Sequence, residues 1–275
     1  RLTVEGTSDG GWGSAGRAAG QLLAPWGIAV GAGGAVYVAE RGNTRIQRFG
    51  SDGAFRGLWG ALGSGEGQYN GPGGVAVRGD GSIFVADVEN HRVQVFSAQG
   101  YYRATIGAYG QADGQFLAPA DVALAPDGTL YVVDSSRHRV QRFSSVGALE
   151  AAWGAFGDAP GQFDSPEGIA VAPDGSVFVA DTGNHRVQRF DPDGGVLGGW
   201  GGPGTEDGQF LTPAGIAVGA DGVVYVADSR NHRVQAFDAA GIFLSKQGAY
   251  GREDGQLARP AALDVAPDGA IVVAD

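Results

Sequence analysis

Apolar residues in this chain fall in short runs separated by turn-forming residues, and no stretch carries the 3.6-residue period of a long amphipathic helix. The segment 161–207 shows the pattern. Residues 168–171 alternate small and apolar, Pro173-Asp174-Gly175 makes a turn, and residues 177–180 form a second apolar run. After Thr182-Gly183-Asn184 comes a third strand over 185–190. Pro192-Asp193-Gly194 turns the chain again, and 196–200 forms a fourth strand. Asp supports such turns through its side chain, and Gly supplies positive φ. The segment thus predicts four short strands and no helix.

This pattern recurs at a fixed interval. Gly-Gln occurs at Gly20, Gly67, Gly114, Gly161, Gly208 and Gly255, each 47 residues after the last. Pro25, Pro72, Pro119, Pro166, Pro213 and Pro260 keep the same phase, as do the closing acids Glu40, Asp87, Asp134, Asp181, Asp228 and Asp275. Repeats of four strands predict an all-β fold, a closed β-propeller of six four-stranded antiparallel blades. It would occupy 1–275 as a single domain, with repeats 20–66, 67–113, 114–160, 161–207, 208–254, and 255–275 plus 1–19. Trp12, Gly13 and Gly16 align with Trp59, Gly60 and Gly63, so the N-terminal segment is expected to close the ring by strand exchange with the C-terminal one. Six full units need 282 residues and the chain has 275, a deficit of seven. The shortened third strand at this seam is expected to be completed by residues beyond a terminus, or by a neighbouring subunit in a homo-oligomer or fibre.

The run Val179-Ala180-Asp181-Thr182-Gly183-Asn184-His185-Arg186-Val187-Gln188-Arg189-Phe190 resembles the NHL repeat. Related cores stand at 87–93 and 228–234. The third repeat has Arg137 in the Asn place, and the first has Glu40 for Asp and Thr44 for His. The resemblance implies a six-bladed propeller used for protein, nucleic-acid or glycan contacts, and a few enzymes share the architecture. Fold alone does not settle function.

Composition narrows the choice. The net charge of −11 disfavours a basic face for RNA or other polyphosphate, so no nucleic acid is expected as partner. No apolar run is long enough to span a membrane, and no membrane insertion is expected. Lys246 is the only lysine beside 18 arginines, which reads as the codon bias of a GC-rich, bacterial genome. The absence of Cys removes disulfides, thiol nucleophiles and Cys-ligated metals; the absence of Met suggests a processed or excised piece of a longer product.

His91, His138, His185 and His232 are 47 residues apart and therefore sit around a ring, too dispersed to converge on one metal. They are expected to stabilise turns, with a hydrogen bond to the blade's own Asp. The Asp-Gly pairs are turn chemistry rather than calcium loops, and the Gly-rich returns open no helix that would cradle phosphate. No catalytic residue, metal ligand or cofactor is expected.

More telling are the positions where one blade breaks the repeat. The residue after the periodic Pro is Trp26, Gly73, Ala120, Glu167, Ala214 or Ala261. Asp121 stands where most blades have Gly, Asp264 where the others have Ala, and Arg259 where they have Ala, Gly, Ser or Thr. Trp26, Asp121, Glu167, Arg259 and Asp264 are the candidate ligand-binding residues at the channel mouth. The bland alternative is a wet channel lined by drifted residues, with Arg259 and Asp264 compensating one another. The expected function is a non-enzymatic, extracellular or cell-surface interaction domain binding a protein or glycan through its loop face. The alternative is a hydrolase or lyase using carboxylate or metal chemistry at Asp121, Glu167 and Asp264.

Overall fold

A computed structural model of the protein describes residues 10–275. Blade 1 runs Pro25–Val30, Val36–Glu40, Arg45–Phe49, Phe55–Trp59, and blade 2 Pro72–Val77, Ile83–Asp87, Arg92–Phe96, Tyr102–Ile106. Blade 3 is Pro119–Leu124, Leu130–Asp134, Arg139–Phe143, Leu149–Trp153. Blade 4 is Gly168–Val171, Val177–Asp181, Arg186–Phe190, Val196–Gly201, and blade 5 is Pro213–Val218, Val224–Asp228, Arg233–Phe237, Phe243–Gln247. Each is an antiparallel sheet in sequence order. The only helices among the described residues are single 3₁₀ turns between second and third strands, none long enough to cross a membrane.

The sixth sector differs from the expectation. Ala262–Val265 pairs only with Ile271–Ala274, giving a two-stranded sheet, so the molecule has five four-stranded blades rather than six. The physical reason is visible in the repeat. Gly-Gln, Pro and the closing acid mark the inner half of a blade, and these occur six times. The Arg that opens the third strand follows each of the first five acids, whereas among the described residues the sixth acid, Asp275, is followed by no third strand. Counting inner-strand markers therefore overcounts whole blades. The strand exchange expected of residues 1–19 falls largely on residues 1–9, which lie outside the described residues; the described part, Ser14–Ala15, pairs with Gln21–Leu22.

The two-stranded sheet nevertheless fills the gap beside blade 1. Ile28, Val36, Val38 and Phe49 bury against Ala266, Ala270, Val272 and Ala274, with Trp12 tilted on Phe49 at a centroid distance of 4.5 Å. Between complete blades the core is repeated: Tyr131, Val133 and Val140 of blade 3 meet Phe163, Ile169, Val179 and Phe190 across the gap. The second strand of every blade is wholly buried, because it faces a neighbouring sheet on both sides. First strands line the axis and approach one another closely. A Cβ on Gly27 would overlap the Gly73 carbonyl and one on Gly168 that of Ala214, which is why this column favours Gly.

Candidate functional site

The closing acid of each blade is the hub of a hydrogen-bond network that shapes the loop face. Asp181 is completely buried. It accepts from Asn184 Nδ2 (2.9 Å), Arg186 Nε (2.7 Å), Gln188 Nε2 (3.1 Å) and the Asp164 amide (2.8 Å). The far ends of the same side chains hold the Gly-Gln loop. Arg186 donates to the carbonyls of Asp158, Ala159 and Gln162, and Gln188 Oε1 accepts from the Gly161 amide. The spacing Asp, +3 Asn, +5 Arg, +7 Gln is thus one device that neutralises a buried carboxylate and anchors a loop without regular structure. Glu40 does the same in blade 1 through Asn43, Arg45 and Gln47.

Arg137 breaks this device in blade 3. Without the Asn donor, Asp134 accepts the amides of both Leu117 and Ala118, and Arg139 Nε lies 3.8 Å away. Burial, the largest influence on Asp134, raises its pKa. Asp275 likewise accepts two successive amides, from Ala258 and Arg259. In the four blades that have the Asn, the residue before the periodic Pro is left-handed: Ala24, Gly71, Ser165 and Thr212, with φ between 48° and 67°. Ala118 and Arg259 are not. The Asn thus decides the direction of one peptide unit.

The histidines read out this choice. Each caps its 3₁₀ turn in the left-handed region and reaches the pre-proline turn of the following blade, not its own Asp as expected. His138 Nδ1 accepts from the Ser165 amide (2.9 Å), and His185 Nδ1 from the Thr212 amide (3.1 Å). His91 Nδ1 faces the Leu117 carbonyl at 2.6 Å, and His232 Nδ1 faces that of Ala258. A carbonyl can only accept, so His91 and His232 carry the proton on Nδ1, whereas His138 and His185 leave Nδ1 bare. Among the described residues no group of three or more His, Asp or Glu converges in a metal-holding arrangement.

The channel, of about 260 Å³, is lined by the first strands with Asp121, Glu167 and Asp264. Asp121 Oδ1 accepts from the Val122 amide (2.8 Å) and Oδ2 from Ile169 of blade 4 (3.0 Å). Asp264 Oδ1 accepts from Val265 (2.7 Å) and Oδ2 from Val30 of blade 1 (2.7 Å). Each carboxylate therefore ties its own strand to the next around the ring, and the second of these ties joins the two-stranded sheet to blade 1. Burial pushes Asp121 up to about 7, with the Asp264 charge adding to it, and Asp264 up to about 6.

Over the channel lies a depression of about 700 Å³, and Trp26, Glu167, Ala214 and Ala261 line both. The Arg41 guanidinium sits 3.8 Å from the Trp26 ring centroid. Burial lowers the Arg41 pKa against the opposing charges of Glu167 and Glu89, and its Nε is buried without a hydrogen bond. Glu167 is raised, mostly by burial, while the charges of Arg41 and Arg259 pull it back. Arg259 is exposed beside this depression and acts electrostatically on Glu167. The five expected residues are therefore split: Asp121 and Asp264 lie inside the channel, and Trp26, Glu167 and Arg259 at its mouth.

Sequence reasoning missed Arg41, Arg230 and Thr212. The same column comparison finds Arg41, which stands where later blades have Val88, Ser135, Thr182 and Ser229; it does not single out Arg230 or Thr212, because Glu89 shares the Arg230 column and Ser165 that of Thr212. A second unforeseen feature lies in the loops that leave the fourth strands. Leu62, Tyr109, Phe156 and Tyr250 occupy one register position and are 69%, 69%, 69% and 75% exposed. Three of these rings rest on histidines: Tyr109 on His91, Phe156 on His138 and Tyr250 on His232, at 4.7–5.0 Å.

The NHL repeat model matches residues 22–49, 69–96, 116–143, 163–190 and 210–237, together 140 of the 275 residues. No curated protein matches the sequence. Among solved structures the chain is similar to the gluconolactonase XC5397 of Xanthomonas campestris, with TM-score 0.69 and 16% identity over 100% of this chain and 95% of that one. It is similar to a chain of a nidogen/laminin complex at TM-score 0.66 and 18% identity, covering 87% and 84%. It also resembles virginiamycin B lyase of Staphylococcus aureus, at TM-score 0.63 and 16% identity over 91% and 77%. At these identities the likeness is one of fold.

Proposed function

This chain belongs to the NHL-repeat family, and from that premise and the form of its loop face we propose that it is a non-enzymatic interaction propeller, extracellular or at a cell surface. Its partner is a protein that docks on the loop face. The observation that carries this reading is the rim of Leu62, Tyr109, Phe156 and Tyr250, present in four of the five blades, with Pro203 in the same place in blade 4, and largely exposed. Apolar side chains in one place on several blades form a patterned surface of the kind that marks interaction sites. Three of the rings pack at a tilt or edge-on against histidines, which restrains them, so less side-chain entropy is lost on docking. The likeness to a chain solved in a nidogen/laminin complex agrees with this reading.

The enzyme alternative draws on the likeness to a gluconolactonase and a lyase. Against it stands the bonding of Asp121 and Asp264, whose oxygens are already engaged by backbone amides. The test joins the two. Tyr109→Ser, Phe156→Ser and Tyr250→Ser together should weaken capture of a purified partner at least about tenfold, as expected for apolar anchors, while leaving the melting temperature within a few degrees. The wild-type chain should hydrolyse no lactone. Undiminished capture by the triple variant, or turnover abolished by Glu167→Gln, would overturn the proposal.

A further inference from the structure

The depression over the channel combines groups that the rest of the fold leaves unused. Arg230 and Arg259 both line it and are exposed. Neither guanidinium makes a hydrogen bond or ion pair with any described residue, whereas Arg45, Arg92, Arg186 and Arg233 each bind the acid of their own blade. Glu167, across the depression, accepts no side-chain hydrogen bond from a described residue; it meets Arg41 and Arg259 only through space. Thr212, another lining residue, holds a buried Oγ1 with no hydrogen-bond partner and a β-branched backbone at φ 51°. A buried hydroxyl without a partner is uncommon enough to call for one. Trp26 completes the lining; Arg41 covers one face of its ring.

We propose that this depression binds a single sugar-acid residue, a pyranose that carries a carboxylate. Arg230 and Arg259 would take the carboxylate, since guanidinium donors match two carboxylate oxygens. Glu167 would bond ring hydroxyls, and the Thr212 hydroxyl, buried in the unliganded chain, would join it on turning toward the depression. The indole of Trp26 meets the C–H face of the sugar. A hydroxyl suits Glu167 better than an ammonium does, because the Arg41 and Arg259 charges already balance its carboxylate. A simple anion would use the arginines and leave Glu167, Thr212 and Trp26 idle. An acidic peptide offers a carboxylate without the row of hydroxyls. The inference goes beyond the docking of a protein on the rim and does not depend on it.

Calorimetric titration with glucuronate, trigalacturonate, glucose, acetate and a glutamate-rich peptide tests it. The expected result is binding of at least one uronate with a dissociation constant in the range of about 1 mM or tighter. Glucose, acetate and the peptide should bind at least about tenfold more weakly, one charge-assisted contact set being worth that factor or more. Arg230→Gln with Arg259→Gln should lower uronate affinity at least about tenfold, and Thr212→Val by a smaller factor. Both arginines are exposed, so the double variant is expected to fold. Tighter binding of trigalacturonate than of glucuronate identifies a polymer residue as the ligand, and the reverse identifies the free acid. Failure of both uronates, equal affinity for acetate or the peptide, or an unaffected double-Arg variant would overturn the proposal. The rim variant Tyr109→Ser should leave uronate affinity unchanged, which separates this site from protein docking.

Discussion

Carboxylate and guanidinium meet in two settings in this molecule. In blade 4, Asp181, Asn184, Arg186 and Gln188 satisfy one another and the backbone of a loop, and the whole set is repeated in blades 2 and 5. At the channel mouth, Glu167, Arg41, Arg230 and Arg259 are brought near each other without a hydrogen bond among them. Repetition allows the first arrangement, because identical residues can complete an identical geometry in every blade. The axis is where the blades converge, and there a departure in one blade faces departures in others. Charge left unpaired in such a place is available to a ligand, while charge in the hub is available only to the fold.

The sharpest way to break this comparison is to remove a hub. Asp181→Ala leaves the Arg186, Asn184 and Gln188 donors without their carboxylate, and should cost about 3–5 kcal/mol in urea unfolding, as for one partner of a buried pair. Asp134→Ala should cost less, about 1–3 kcal/mol, because Arg139 stands 3.8 Å off and no Asn contributes. Equal losses would mean that the Asn and Arg bonds add nothing.

Next in size is a pH effect from the channel. Burial raises Asp121 to about 7 and Asp264 to about 6, above the value of 3.8 expected when unfolded. The folded chain therefore retains protons that the unfolded chain releases between about pH 4 and pH 7, and stability falls as pH rises through that window. The melting temperature should be several degrees higher near pH 5 than at pH 8, and Asp121→Asn with Asp264→Asn should flatten the difference. Below about pH 4 the sign reverses, because Asp80, Asp127 and Asp174 are lowered by hydrogen bonds and lose those bonds on protonation. A profile that rises steadily from pH 5 to pH 8 would remove the two aspartates from this role.

The smallest effect is the most diagnostic. Arg137→Asn should supply blade 3 with the missing donor to Asp134, turn the peptide before Pro119, and give Ala118 a left-handed conformation. His91 would then lose the Leu117 carbonyl and leave Nδ1 bare, as His138 and His185 do. Nitrogen chemical shifts of the His91 ring should report the exchange of tautomers, with a stability change of about 1 kcal/mol or less. An unchanged His91 tautomer would break the link between Asn and turn.

The candidate site was legible in part for a definite reason. Trp26, Glu167 and Arg259 stand out because a strict repeat makes a column of equivalent residues, and a large or charged residue in a column of small ones is visible without coordinates. Asp121 and Asp264 stand out in the same way, yet they turned out to bind neighbouring first strands. A column cannot show that a backbone amide of the next first strand, that of Ile169 or Val30, lies across the blade gap.

What the sequence determined by itself is everything local and periodic. Four short strands per unit, Asp-Gly turns and the NHL signature follow from residue order alone, since strand alternation and turn chemistry act over a few residues. What only the tertiary structure decided lies between units. That the sixth sector holds two strands where four were expected depends on which strands find partners. That His91 and His138 differ in tautomer depends on the residue three places after an acid in the following blade. That Leu62, Tyr109, Phe156 and Tyr250 form a rim depends on the ring that carries them all to one face. Each of these is a relation between residues far apart in the chain, and only the packing of one blade on the next makes them neighbours.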